Sequence, residues 1–94
     1  MTYKLTFLEE AFKEWNKLSP DIRGQFKKKL EKCLISPHIK NSSLSGMADC
    51  YKIKLRTAGY RLIYRVFEDR IVVQVVAVGK RDKNIVYKKA HKRI

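Results

Sequence analysis

Acid is scarce in this chain, and its distribution says more than its amount. Nine Asp and Glu stand against 22 Lys and Arg, a formal net charge of +13 over 94 residues. Between Cys50 and Phe67 there is no acid at all, although Lys52, Lys54, Arg56, Arg61 and Arg65 fall in that stretch. Cysteine is limited to Cys33 and Cys50, which excludes a disulfide framework and gives no metal-ligand spacing, so two reduced, unlinked thiols and no metal or other cofactor are expected. Histidine is limited to His38 and His91, too far apart in the sequence to suggest a pair for acid–base work. No apolar run reaches the length of a membrane span, and an N-terminus with Lys4 followed by Glu9 and Glu10 does not read as a signal peptide, so a cytoplasmic protein is expected. Repeats and linkers are absent as well, leaving one domain over residues 1–94. A chain of this size buries roughly 60–65% of its unfolded surface, enough for one modest core.

What is present divides cleanly by period. Tyr3, Leu5 and Phe7 alternate with Lys4 and Thr6, predicting a short strand. Leu8, Ala11, Phe12, Trp15 and Leu18 then recur at helical spacing, with Glu9 and Glu10 suited to the positive end of the helix and Trp15 as a core anchor. Ser19 and Pro20 read as a cap and first helical position for a second helix, with Ile22, Phe26, Leu30, Cys33 and Leu34 inside and Arg23, Lys27, Lys28, Lys29 and Lys32 outside. Ser36 and Pro37 stop it, and residues 37–49 form a loop.

From Cys50 the period is two. Tyr51, Ile53 and Leu55 alternate with Lys52, Lys54 and Arg56, and after a turn through Thr57, Ala58 and Gly59 a second strand runs from Tyr60 to Phe67. Placing Arg56 opposite Arg61 makes Leu55 meet Leu62 and Ile53 meet Tyr64, and gathers Lys52, Lys54, Arg56, Arg61 and Arg65 on the other face. The opposite parity would bury Arg61 and Arg65 unpaired, at a cost of several kcal/mol by the order of magnitude for lone buried charges. Like charges facing one another across strands are destabilising. A solvated basic surface is the plain alternative, but five cations without an interleaved acid favour a polyanionic ligand, and Lys27, Lys28 and Lys80 extend the same footprint.

Glu68, Asp69 and Arg70 turn the chain into Ile71–Val78, a nearly continuous β-branched run expected of a central strand buried on both faces. It delivers Gly79, Lys80 and Arg81, so Arg81 emerges from the best-held strand. Asp82 is expected to cap a final helix through Arg93, with Ile85, Val86, Ala90 and Ile94 inward and Tyr87 and His91 one turn apart.

Taken together, the opening strand, KEWNKL, QFKKKL, CYKIKLR, GYRLIYR, VGKR and the Tyr87 helix span essentially the whole chain, and as a set they resemble the RelE toxins of bacterial type II toxin–antitoxin systems. The resemblance implies a compact α+β fold like that of small microbial ribonucleases: an N-terminal helical hairpin on a small, mostly antiparallel four-stranded sheet, with a C-terminal helix. It implies a ribosome-dependent mRNA endonuclease that cuts in the A site and contacts small-subunit rRNA. It further implies a RelB-like antitoxin, through which the complex would bind operator DNA. The family's functional cluster carries over onto Lys52, Lys54, Arg61, Arg81 and Tyr87 without a substitution. One departure is Ser45 in the SLSGM loop, where a basic residue is common.

The residue types present suit metal-independent cleavage by the RNA's own 2′-hydroxyl, giving a 2′,3′-cyclic phosphate and a 5′-hydroxyl. The 2′-OH has to lose its proton, the phosphorane charge has to be stabilised and the departing oxygen has to be protonated. Surrounding cations favour the phenolate of Tyr87 as base, with Lys52 and Lys54 supplying the field or carrying the proton. Arg61 suits a bidentate grip on the phosphate, and Arg81 a charged donor on the leaving-group side. A noncatalytic nucleic-acid-binding module and an inactive toxin homologue remain the competing classes.

Overall fold

The computed structural model describes residues 2–44, 46–80 and 85–94. Its sheet is built around β4 (Val72–Lys80), in the order β1-β4-β3-β2, with β1 (Lys4–Phe7) parallel to β4. Strands β3 (Tyr60–Phe67) and β2 (Cys50–Leu55) follow as antiparallel neighbours. Helices α1 (Glu9–Asn16) and α2 (Pro20–Ile35) cover one face and α3 (Ile85–Arg93) the other, which is the expected α+β arrangement.

The passage from β1 into α1 is immediate. Leu8 takes the cap position in an extended conformation without a side-chain bond, and its N–H donates to the Val75 carbonyl at 3.0 Å. Ala11, not Phe12, lies against the sheet: its small side chain lets the helix approach, while Phe12 is 48% exposed and makes an edge contact with Phe7. Trp15 is half-buried between Phe7 and Phe26. In α2 the Ser19 hydroxyl accepts from the Ile22 N–H with Pro20 behind it, and Phe26, Leu30 and Cys33 are buried. Complete burial of Phe26 or Leu30 contributes about 1.5–3 kcal/mol each by transfer from water.

The alternation in β2 and β3 assigns every side chain to its observed face, but the pairing lies two residues from the predicted register. Leu55 faces Tyr60, Ile53 faces Leu62 and Tyr51 faces Tyr64. The turn is longer than expected, because Arg56 belongs to it and does not stand opposite Arg61. Gly59 closes it at φ +71°, a left-handed value that costs glycine nothing, with its N–H on the Leu55 carbonyl at 2.8 Å. A slip of two leaves the faces unchanged.

Strand β4 carries a bulge. Tyr64 pairs with Val75 and Ile63 with Ala77, so Val76 is an extra residue. Val73, Val75 and Val78 consequently join the core under α1 and α2, whereas Val76 and Ala77 pack with Ile63, Val86 and Ala90 beneath α3. The strand begins at Val72 instead of Ile71, because Ile71 closes the preceding turn at φ 53° and is 36% exposed. In α3 only Val86 and Ala90 are buried. Ile85 lies about 100° round the helix from Val86 and Ile94 follows its last turn, so these two expected inner residues are exposed. The predicted cap, Asp82, lies outside the described residues. Among the described residues no helix is long and apolar enough to cross a membrane. Cys33 and Cys50 are buried and unlinked, and burial pushes both thiols up.

Candidate functional site

The basic face of the β2–β3 ladder carries Lys54 opposite Arg61 and Lys52 opposite Ile63. The crowding bears on Lys54: the charge on Lys52, followed by partial desolvation and the charges on Arg61 and Arg56, holds its amine below the ordinary lysine range. Gly79 of β4 sits on the other side of Arg61. A β-carbon at Gly79 would come within 3.1 Å of Val86 Cγ2, so the glycine lets α3 settle close to the sheet at this point. The next residue of α3, Tyr87, then reaches Arg61. Arg61 Nη1 donates to Tyr87 Oη at 2.7 Å, and its guanidinium carbon lies 5.2 Å from the ring centroid. With one N–H on the phenol oxygen, the guanidinium keeps its remaining N–H donors for an anion.

Tyr87 thus meets Arg61 where α3 packs on β3 and β4, and Lys54, with Lys52 beside it, stands next to Arg61 on the ladder. Arg81 lies outside the described residues. The other predicted RNA contacts are spread around this centre. Arg56 is exposed in the turn, and Lys80 is exposed at the end of β4. Arg65, at the far end of the ladder opposite Cys50, is drawn over the Phe67 ring at 4.8 Å, away from Tyr87. Lys27 and Lys28 are exposed on α2, which packs on the opposite face of the sheet, so they extend the positive surface round the molecule instead of adding to the cluster. The two surfaces meet at the sheet edge, where Lys29 Nζ donates to the Lys54 carbonyl at 3.1 Å. A groove of about 590 Å³ opens there, with Lys29, Lys32, Lys52, Lys54 and Arg56 among its lining residues and no acid.

His38 is close in space to the strands from which it is far in sequence. It bonds Tyr51 Oη through Nδ1 and the Glu68 carboxylate through Nε2, and Tyr3 Oη donates to the same carboxylate at 2.9 Å. Tyr51 points toward the helical hairpin, so this network lies behind the sheet as seen from Tyr87 and ties the loop after α2 to the β3–β4 turn. His91 is exposed on α3. Among the described residues no group of three or more His, Cys, Asp or Glu is placed to hold a metal ion.

Sequence reasoning passed over Glu14 and Arg93. Glu14 Oε1 accepts from the Val78 N–H at 3.2 Å and from Arg93 Nη1 at 2.8 Å, and Oε2 accepts from Lys89 Nζ at 2.9 Å. The signal was available, because Glu14 interrupts the inward stripe of Ala11, Trp15 and Leu18.

A family model described as ParE toxin of type II toxin–antitoxin system, parDE, matches residues 5–85. The mRNA interferase toxin RelE of Escherichia coli strain K12 is 54% identical over 94 residues, covering 100% of this chain and 99% of that protein. A structure of E. coli toxin RelE in the free state, carrying two substitutions, superposes with a TM-score of 0.93 at 53% identity and covers 100% of this chain and 99% of that one. The toxin of the intact E. coli RelBE toxin–antitoxin complex gives a TM-score of 0.83 at 53% identity, covering 86% and 99%.

Proposed function

Because the chain belongs to the RelE toxins of the ParE toxin family of type II toxin–antitoxin systems, we propose that it is a ribosome-dependent mRNA endonuclease that inhibits translation by cutting mRNA in the A site. The observation that carries this reading is the contact of Arg61 with Tyr87 Oη on the same face as the Lys52–Lys54 pair. That arrangement offers a proton acceptor and fixed positive charge at one point, which are the needs of internal attack on a phosphodiester.

In the proposed reaction Tyr87, hydrogen-bonded to Arg61 and acting in its phenolate form, takes the proton of the 2′-hydroxyl. The 2′-oxygen bonds to phosphorus, the bond from phosphorus to the 5′-oxygen breaks, and the 5′-oxygen leaves taking a proton from water, while Tyr87 returns its own proton to solvent. The products are a 2′,3′-cyclic phosphate and a 5′-hydroxyl. Arg61 stabilises the charge on the equatorial phosphoryl oxygens, a term commonly worth about 10²–10³ in rate per donor. Arg81 is assigned to the leaving-group side as a charged hydrogen-bond donor, directly or through water, since a guanidinium does not give up its proton. A second reading is favoured by the depressed pKa of Lys54, whose neutral amine then takes the 2′-proton while Tyr87 orients the nucleotide.

Arg56, Arg65, Lys27, Lys28 and Lys80 supply nonspecific contacts to rRNA and mRNA backbone around the reacting nucleotide. A site without an imidazole pair depends on the substrate being positioned for it, and the ribosome supplies that positioning. The chain acts as one domain, residues 1–94, in the cytoplasm. Its partner is an antitoxin of the RelB kind, as in the E. coli RelBE complex, and the pair binds operator DNA through the antitoxin. The test is single-turnover cleavage of mRNA on programmed ribosomes beside the same mRNA free in solution. Ribosome-dependent cutting supports the reading, and binding without cutting supports the noncatalytic module.

A further inference from the structure

Helix α3 is short, its buried residues are only Val86 and Ala90, and it is gripped on both flanks. On one flank Arg61 holds Tyr87. On the other, Lys89 and Arg93 converge on Glu14 of α1, with Arg93 Nη1 at 2.8 Å from Oε1 and Nη2 at 3.2 Å from Oε2. Arg93 Nε also meets the Glu10 carboxylate at 3.0 Å.

This second grip differs from an ordinary surface ion pair in two respects. The side chains of Arg93 and Glu14 are 14% and 15% exposed. Both are also fixed to backbone: Arg93 Nη1 donates to the Val76 carbonyl at 2.9 Å, and Glu14 accepts the Val78 N–H. Strand β1 ends beside Val75 and the bulge falls at Val76, so these β4 groups lie past the end of the β1 pairing, and the two side chains continue the hydrogen bonding that β1 leaves off. Burial opposes the charge on Glu14, but hydrogen bonds from Arg93, Lys89 and the Val78 N–H together outweigh it and hold the carboxyl below the usual carboxylate range.

We infer that Glu14, acting through Arg93 and Lys89, is a positioning residue for Tyr87: it fixes the roll of α3 so that Tyr87 Oη stays within reach of Arg61. The inference rests on the reading that Tyr87 and Arg61 act on RNA. The lever is short. With a helix about 10–12 Å across including side chains, a roll of about 10° moves a group at its surface by about 1 Å. A displacement of that size costs up to about 10²-fold in a reaction that depends on alignment. Val86 and Ala90, with the half-buried Tyr87 ring beside them, form a narrow apolar contact that resists such a roll poorly.

The test compares Glu14→Gln, Lys89→Met and, as a control on the same helix, Glu9→Gln in the full-length chain. Glu9 is exposed and makes no ion pair among the described residues. Two readouts are used: hydrogen exchange of the amides of residues 86–93, and single-turnover cleavage on programmed ribosomes over a range of ribosome concentrations. Glu14→Gln is expected to speed exchange in α3 and to lower the maximal rate by about 10- to 100-fold, with the half-saturating ribosome concentration unchanged within about twofold. Lys89→Met, which removes one partner and leaves Arg93 in place, gives a smaller loss of the same kind, and Glu9→Gln gives none. In a Tyr87→Phe background Glu14→Gln adds little, because both act through one group. Exchange unchanged in Glu14→Gln overturns the proposal whatever the activity. Losses that multiply fully with Tyr87→Phe also overturn it, since Glu14 would then act elsewhere. If the wild-type chain does not cut at all, the proposed function fails, and the exchange arm still decides whether the clasp holds α3.

Discussion

Replacing Tyr87 by Phe separates chemistry from packing better than any other single change. The ring keeps its place against the cluster of Ile63, Val76, Val86 and Ala90 and its position under the Arg61 guanidinium. Only the oxygen that receives Arg61 Nη1 at 2.7 Å is lost. A hydrogen bond to a charged donor contributes about 1.5–3 kcal/mol when neither group is resolvated. Arg61 and Tyr87 are only partly buried and regain water, so the expected cost to stability is at most about 1 kcal/mol, a fall in Tm of about 4–8 °C for a chain of this size. The chemical step stands to lose far more, because a general base contributes about 10²–10⁴-fold, equivalent to about 3–5 kcal/mol of barrier. Quenched single-turnover cleavage on programmed ribosomes, with thermal unfolding and ribosome affinity measured alongside, reads all three quantities. The expected result is a variant that folds, binds ribosomes about as well as wild type and cuts at least about 100-fold more slowly. A rate within a few-fold of wild type would refute the reasoning and leave Tyr87 a packing residue, with Lys54 as the base.

Three further outcomes follow from the geometry. Lys52→Met removes the charge that contributes most to depressing the Lys54 amine, so the Lys54 side-chain titration followed by NMR moves to higher pH; a titration that does not move removes the Lys52–Lys54 coupling. Ribosome association weakens steeply as salt rises, because a +13 chain meeting RNA releases counterions, and an affinity that is flat between low and moderate salt contradicts a cationic footprint. Glu14 has a folded-state pKa below its unfolded one, so its contribution to stability is present above the unfolded carboxylate pKa and disappears as pH falls through the lower folded value. Glu14→Gln is therefore less stable than wild type near neutrality, by about 1–3 kcal/mol for a part-buried network left unsatisfied. Denaturant titrations should show that gap closing in acid, and a gap that persists at low pH argues against the ion pairs as its source.

Alternation alone placed each side chain of β2 and β3 on its observed face, because burying Arg61 and Arg65 was too costly to consider. Exact pairing was harder to read, since it depended on whether Arg56 belonged to the strand or the turn, and an exposed arginine is compatible with both. The helices show the same division. Phe26, Leu30 and Val86 announced themselves by spacing, whereas Phe12, Ile85 and Ile94 are apolar residues left outside by short helices that touch the sheet along a narrow line. Glu14 is marked in the sequence by its place within an apolar stripe, but its role is not, because its partners, Val78, Lys89 and Arg93, are brought in from 64 to 79 positions away. The bulge at Val76, which sets the backbone those partners use, has no sequence signature in a run of valines. Of the candidate site, Lys52, Lys54, Arg61 and Tyr87 were legible through family resemblance and alternation together, and the contact of Arg61 with Tyr87 Oη came only from the packing of α3 over Gly79.

The most direct measurement is end-group analysis of mRNA after incubation with this protein, on ribosomes carrying a defined codon in the A site and, in parallel, on the same mRNA without ribosomes and with chelator present. Cuts are expected within the A-site codon, with fragments ending in a 2′,3′-cyclic phosphate and beginning with a 5′-hydroxyl, and with feeble cutting of free mRNA. Efficient cleavage of naked mRNA, fragments beginning with a 5′-phosphate, or tight ribosome binding with intact mRNA would each contradict it.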